Sequence, residues 1–167
     1  ALPIYITRDF YNKNQLAYEI IDKDFDTGNL YKMFYEYDNK TLWLDSSKVE
    51  EGLSRFSIFG LQGEKRGHTI KYDVDKKIVE KIFVNSDEKE VFEENIFDYL
   101  KANRPRWEYD ENLPFDFQLG YIGYFGYELK KDTENVVNKY SYSYPDAYLK
   151  YCDRALVYDH MEGKLYL

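Results

Sequence analysis

With one cysteine among its 167 residues, the chain can form neither an internal disulfide nor a thiolate metal cluster, and Cys152 is expected to be a packed thiol. Histidine is nearly as scarce. His68 and His160 lie far apart, and neither belongs to a His-x-x-x-His or Cys-x-x-Cys spacing that would suggest zinc. Positive charge is also in deficit: 23 Lys and Arg face 31 Asp and Glu, a formal net charge of -8. Gripping phosphate requires a basic surface, so this balance argues against nucleic acid or an anionic membrane as a partner. No apolar run approaches the roughly 20 residues that span a bilayer, and no charged segment followed by an apolar signal core opens the chain. A cytoplasmic location is therefore expected. Repeats and low-complexity tracts are missing, and the length suits a single domain. The chain opens on Ala1 without a methionine and stops at Leu167 after an apparent turn, as a fragment of a longer protein would.

Aromatic residues are what the chain has in quantity. They make up 19% of it, with 19 tyrosines, a composition suited to half-buried sheet surfaces. Residues 118–129 set Gly120, Gly123 and Gly126 three apart within an aromatic and branched run. The run favours a core strand, and three glycines in seven residues disfavour a helix. Because a strand has period two, glycines three apart mark bulges or places where another segment crosses close to the backbone. A phosphate cradle needs its glycines in a turn between strand and helix, and here they sit inside the apolar run.

In chain order, residues 2–7 read as a strand. Asn12 with Gln15 then forms a capping pattern for a helix carrying Leu16, Ala17, Ile20 and Ile21 on one face, ended by residues 24–29. Residues 31–37 and 41–45 read as a hairpin around a polar turn, and residues 55–62 as a strand after a polar connection. Strict alternation at His68, Ile70, Tyr72 and Val74, a turn at 75–77, and Ile78, Ile82 and Val84 on the return predict a second hairpin. Asp87 with Glu90 caps a helix bearing Phe92, Ile96, Tyr99 and Leu100, which Pro105 ends. Residues 104–114 and 130–145 are polar loops, the second expected to be the more mobile, and residues 148–158 and 164–167 are final strands turned at Glu162 and Gly163. About two helices and eight hairpin-joined strands predict an α+β fold of mostly antiparallel sheet.

No catalytic constellation stands out from spacing. Ser46, Ser47, Ser54 and Ser57 have no nucleophile-elbow context, and neither histidine carries a recognisable triad arrangement, although sequence order does not rule one out. Carboxylates are too numerous for a pair of them to identify a site.

An ordered set of segments is more specific: Leu42-Trp43-Leu44-Asp45-Ser46-Ser47, Ser54-Arg55-Phe56-Ser57-Ile58-Phe59-Gly60, Gly120 to Glu128, Pro145-Asp146-Ala147, and Val157-Tyr158-Asp159-His160. In this order they resemble the N-terminal domain of component I of aminodeoxychorismate synthase (para-aminobenzoate synthase) and of anthranilate synthase. The resemblance runs from about Leu42 onward. Trp-Leu-Asp-Ser-Ser followed by Arg-Phe-Ser looks like the aminodeoxychorismate type; the anthranilate type more often shows Leu-Leu-Glu-Ser and Arg-Tyr-Ser.

The resemblance implies a full-length transferase that converts chorismate to 4-amino-4-deoxychorismate for 4-aminobenzoate and folate synthesis, using ammonia from a glutamine amidotransferase partner. The chorismate-binding residues and Mg2+ of such enzymes belong to a C-terminal domain whose motifs do not occur here, so this segment by itself is expected to be inactive, with no catalytic residue, metal site or cofactor of its own. The resemblance also implies a tryptophan pocket at Ser46, Leu53, Ser54, Arg55 and Phe56, in which a hydroxyl meets an amino-acid head group and Phe56 and Leu53 cover an indole. Leu53 departs from the tyrosine of some tryptophan binders. The alternatives are the same domain of anthranilate synthase, with tryptophan as feedback ligand, and a non-enzymatic sheet-based binding module. A purely structural account is open for the pocket as well: a turn serine followed by a strand with a surface arginine.

Overall fold

The computed structural model describes residues 6–9, 15–37, 40–46, 48, 50, 54–86, 88–104, 109–134 and 143–167. Its chain divides into two compact units, one of Ala1–Gly63, Trp107–Gly120 and Cys152–Leu167, the other of Glu64–Arg106 and Tyr121–Tyr151.

The first unit is built on a seven-stranded sheet whose centre is Arg154–Asp159 (β11). One edge of β11 pairs along its whole length with Phe56–Leu61 (β5), from Arg154 opposite Leu61 to Asp159 opposite Phe56. Two strands share the other edge. Ile6–Asp9 (β1) takes Arg154 and Ala155, and Lys164–Tyr166 (β12) takes Val157 to Asp159. Outside these lie Leu42–Leu44 (β4) on β5, Gln15–Ala17 (β2) on β1, and Ile20–Asp22 (β3) on β12. Strand alternation in β11 sends Leu156 and Tyr158 to one face and Ala155 and Val157 to the other. The first face is covered by the helix Thr27–Tyr37 (α1), whose Leu30 and Phe34 lie one turn apart and bury against Phe59, Leu61, Leu156 and Leu165. Asp26 caps that helix, its carboxylate accepting the Asn29 N–H at 2.7 Å. The second face is covered by Leu113, Phe115 and Leu119.

The second unit is a five-stranded antiparallel sheet in the order Lys89–Glu93 (β8), Ile78–Phe83 (β7), His68–Asp73 (β6), Ala147–Cys152 (β10) and Gly120–Phe125 (β9). The helix Ile96–Asn103 (α2) lays Ile96 and Tyr99 on Ile70, Tyr72, Val79 and Leu149. Asn95 caps it by accepting the Phe97 N–H at 2.8 Å. A 3-10 turn, Tyr127–Leu129, and a short helix, Lys130–Glu134 (α3), follow β9.

The α+β class with mostly antiparallel sheet is as expected, and so are the hairpin of β6 and β7, the strand at β5 and the turn at Gly163, which has φ +62°. Several local expectations are corrected. Residues 15–17 and 20–22 are strands, not a helix: β2 and β3 find partners in β1 and β12, and Leu16 and Tyr18, two apart, pack inward around exposed Ala17. Asn12 lies outside the described residues. Residues 31–37 are helix, not strand, because the Asp26 cap and the Leu30 and Phe34 spacing outweigh the strand preference of Tyr31, Phe34 and Tyr35. The first hairpin is therefore absent, and β4 pairs with β5 instead. Residues 89–93 are a strand held to β7, so α2 begins at Ile96 under the Asn95 cap; Asp87 lies outside the described residues. Residues 130–134 are α3 within the expected loop. The final stretch is two strands, β10 and β11, broken at Asp153 and belonging to different sheets. The described residues thus hold three α-helices and twelve strands.

The glycine run is an edge strand, not a core strand: Ile122 is buried, while Tyr124 and Phe125 are exposed. Gly123 is nevertheless a site of close backbone approach, since a Cβ there would stand 1.9 Å from the Tyr148 carbonyl oxygen. That neighbour is main chain and cannot swing aside. Gly123→Ala is expected to destabilise the protein by at least about 1 to 3 kcal/mol by forcing β9 off β10, and by more than Gly28→Ala near the start of α1, where a Cβ would meet only the Asp26 side chain at 3.3 Å. Urea unfolding of the two variants measures the contrast, and equal midpoints would remove the packing argument.

Candidate functional site

Where β4 ends, the antiparallel register carries Asp45 and Ser46 past the beginning of β5. Ser46 extends the ladder with its side chain, its hydroxyl donating to the Phe56 carbonyl at 2.7 Å while its N–H donates to Ser57 Oγ at 3.1 Å. Ser57 has no exposed surface. Its Oγ lies 2.8 Å from Asp45 Oδ1 and 2.6 Å from His160 Nε2. A carboxylate only accepts and Ser57 has one proton, so that proton goes to Asp45 and His160 must donate from Nε2. The hydroxyl is then fully used, giving one bond and receiving two. Serine sits between carboxylate and histidine, whereas a hydrolytic triad sets histidine between serine and carboxylate; this arrangement does not activate the serine as a nucleophile.

Beside it, Arg55 forms a two-pronged bond to Asp159, Nε to Oδ1 at 2.9 Å and Nη2 to Oδ2 at 2.5 Å, and reaches Glu162 at 3.2 Å. Asp159 is wholly buried and also accepts the N–H groups of Met161 and Glu162. Burial by itself would raise its pKa. The hydrogen bonds from Arg55, Met161 and Glu162, with the guanidinium charge, outweigh burial and hold the carboxyl below its ordinary value. The Arg55 guanidinium also lies 5.0 Å over the Phe56 ring, which meets Phe115 edge-on at 5.6 Å. The Arg55 carbonyl accepts the His160 N–H at 3.1 Å, tying the two clusters together.

The structure thus brings Ser46, Arg55 and Phe56 together at one end of β5. Ser54 sits in an isolated bridge to Glu50 and its hydroxyl donates to the Lys48 carbonyl. Leu53 lies outside the described residues. The donors of Ser46 and the Nε and Nη2 of Arg55 are occupied by protein groups, so what Ser46 can offer a ligand is the acceptor capacity of its oxygen. Asp45, Ser57, Asp159 and His160 complete the cluster, although the spacing of serines and histidines gave no sign of it. Their only signal was adjacency: Asp45 precedes Ser46, and Asp159-His160 closes the last of the ordered segments. Among the described residues no three His, Cys, Asp or Glu side chains converge to hold a metal ion, so the Mg2+ implied by the resemblance finds no donor set there. Among the same residues no helix is long and apolar enough to cross a membrane.

No protein-family profile matches the chain. It is similar to individual proteins. Over 126 residues it is 36% identical to an aminodeoxychorismate synthase of Streptomyces pristinaespiralis, a match covering 75% of this chain and 17% of that protein. Over 143 residues it is 29% identical to a chloroplastic aminodeoxychorismate synthase of Arabidopsis thaliana, covering 77% of this chain and 16% of the relative. A shorter match, 38% over 58 residues, links it to anthranilate synthase component 1 of Acetivibrio thermocellus, with 34% of this chain and 12% of that protein covered. The chain therefore spans about a sixth of the length of the curated relatives that it matches over most of its own.

The Arg55 and Asp159 pair generates a pH dependence. A carboxyl whose folded pKa lies below its unfolded value of about 3.9 contributes stability that is complete above that value and is lost as pH falls through the folded pKa. Acid unfolding should therefore lose this contribution only below about pH 4. Arg55→Gln leaves the buried carboxylate without its cation and should cost about 3 to 5 kcal/mol at neutral pH, with the difference from wild type shrinking as Asp159 is protonated. Denaturant unfolding of both proteins across the acid range measures this, and a constant difference at every pH would rule it out.

Proposed function

We propose, for a chain that belongs to the aminodeoxychorismate synthase and anthranilate synthase component 1 family, that it is the N-terminal domain of an aminodeoxychorismate synthase. The observation that carries this reading is the 36% identity over 126 residues to the Streptomyces pristinaespiralis enzyme. The full protein would add ammonia to chorismate, giving 4-amino-4-deoxychorismate for 4-aminobenzoate and folate synthesis. A glutamine amidotransferase would supply the ammonia, and a C-terminal chorismate-binding domain would hold the substrate and Mg2+. This chain is then a scaffold that does not turn over chorismate by itself. Its net negative charge supports an enzyme with no nucleic-acid or anionic-membrane partner, and we place it in the cytoplasm. The anthranilate synthase reading is the second one, supported by the 58-residue match.

Tryptophan is the small ligand we assign to Ser46, Leu53, Ser54, Arg55 and Phe56. The Ser46 oxygen, whose proton is given to the Phe56 carbonyl, suits a partner that donates, and the α-ammonium of an amino acid is such a partner. Arg55 contributes as packing over Phe56, not as a free cation, because Asp159 and Glu162 hold its guanidinium.

Two experiments test these assignments. The full-length gene should restore growth to a strain that requires 4-aminobenzoate; rescue of a tryptophan requirement instead would move the assignment to anthranilate synthase. In calorimetry on the full-length protein, Ser46→Ala should weaken tryptophan binding about tenfold or more, as expected for a hydrogen bond to a charged group worth roughly 1.5 to 3 kcal/mol. Equal affinity in wild type and variant would leave Ser46 with only its strand-closing role.

A further inference from the structure

A recess of about 360 Å³ lies in the second unit between the C-terminal half of α2 and the sheet, lined by Leu100, Lys101, Arg104, Tyr121, Phe125 and Leu149. Its floor is apolar: Leu149 is buried and Leu100 half-buried. Its ring-bearing wall is held in place. Tyr121 is hydrogen-bonded to His68 Nε2 at 2.8 Å and meets Tyr151 edge-on, and Phe125 stacks on Phe97 at 5.9 Å. The hydroxyl of Tyr121 is thereby committed, and its ring faces the recess as an apolar surface. Lys101 and Arg104 are exposed, and neither has an acidic partner among the described residues. Lys101 and Arg104 thus bring two cations to the edge of an apolar recess in a chain of net charge -8. Among the described residues no carboxylate lines it.

Cations at a helix C-terminus also offset the helix dipole, which accounts for their position on α2. It does not account for the recess beside them. We propose that this recess is a binding site for a small aromatic monocarboxylate. Its ring lies against Tyr121, Phe125 and Leu149, and its carboxylate meets the forked donors of Arg104 with Lys101 as a second charge. The volume falls in the range of small-molecule sites, and an apolar lining with a few convergent polar groups is their usual chemistry. The site shares no residue with the cluster around Ser46 and does not depend on the function proposed above.

Calorimetry on the native protein tests it with benzoate and benzamide, which share a ring and differ in charge. Benzoate should bind saturably, and benzamide about tenfold or more weaker, because it lacks the anion that the two cations address. Arg104→Gln and Lys101→Gln should each weaken benzoate several-fold, and the pair together more, with melting temperatures close to wild type because both side chains are exposed. Equal binding of benzoate and benzamide, unchanged benzoate affinity in the double variant, or no benzoate binding would overturn the proposal.

Discussion

The first unit depends on placing one carboxylate where water cannot reach it. Asp159 ends the central strand, and its carboxylate ties two parts of the surrounding chain to it: the Arg55 guanidinium just before β5 and the N–H groups that open the turn into β12. A buried charge left without partners costs far more than the net gain of pairing it, so this anion enforces the register of three strands at once. Apolar burial on both faces of β11 supplies the bulk stabilisation; Asp159 supplies the reason that the strands meet in one alignment and not two residues along.

The same constraint builds the cluster around Ser46. Once the Arg55 guanidinium is bonded to Asp159, strand alternation turns Phe56 to one face and Ser57 to the other, and the Arg55 carbonyl receives the His160 N–H. Ser57 then becomes the junction at which β4, β5 and the end of β11 are joined by hydrogen bonds alone. Such a fully satisfied polar junction is rigid, and rigidity is what a ligand site at Ser46 requires.

The sequence was readable where one local signal dominated. Alternation from His68 to Val84 has period two and a turn with no competitor, and it became β6 and β7. Misreading came where two signals conflicted. The Asp87 and Glu90 spacing looks like a helix start, but pairing to β7, which no local window contains, made residues 89–93 a strand. Tyr31 and Tyr35 carry strand propensity, yet Leu30 and Phe34 needed a helical turn to reach the sheet together. Around Ser46 the resemblance supplied Arg55 and Phe56, but the junction of Asp45, Ser57 and His160 joins residues more than a hundred positions apart, and only the closed sheet reveals it.

The shared edge of β11 also bears on how the protein is made. Ile6 and Thr7 pair with Ala155 and Arg154, so β1 waits for a strand made much later in the sequence before its pairing to the central sheet can form. Pairings of such long sequence separation form late, because loop-closure entropy opposes them until the rest is in place. During synthesis, β2 can pair with β1 as a local ribbon, but a two-stranded ribbon is marginal in water. Until β11 has been made, β1 is thus without its lasting partner, and in that interval it is a segment that a ribosome-associated chaperone has time to hold.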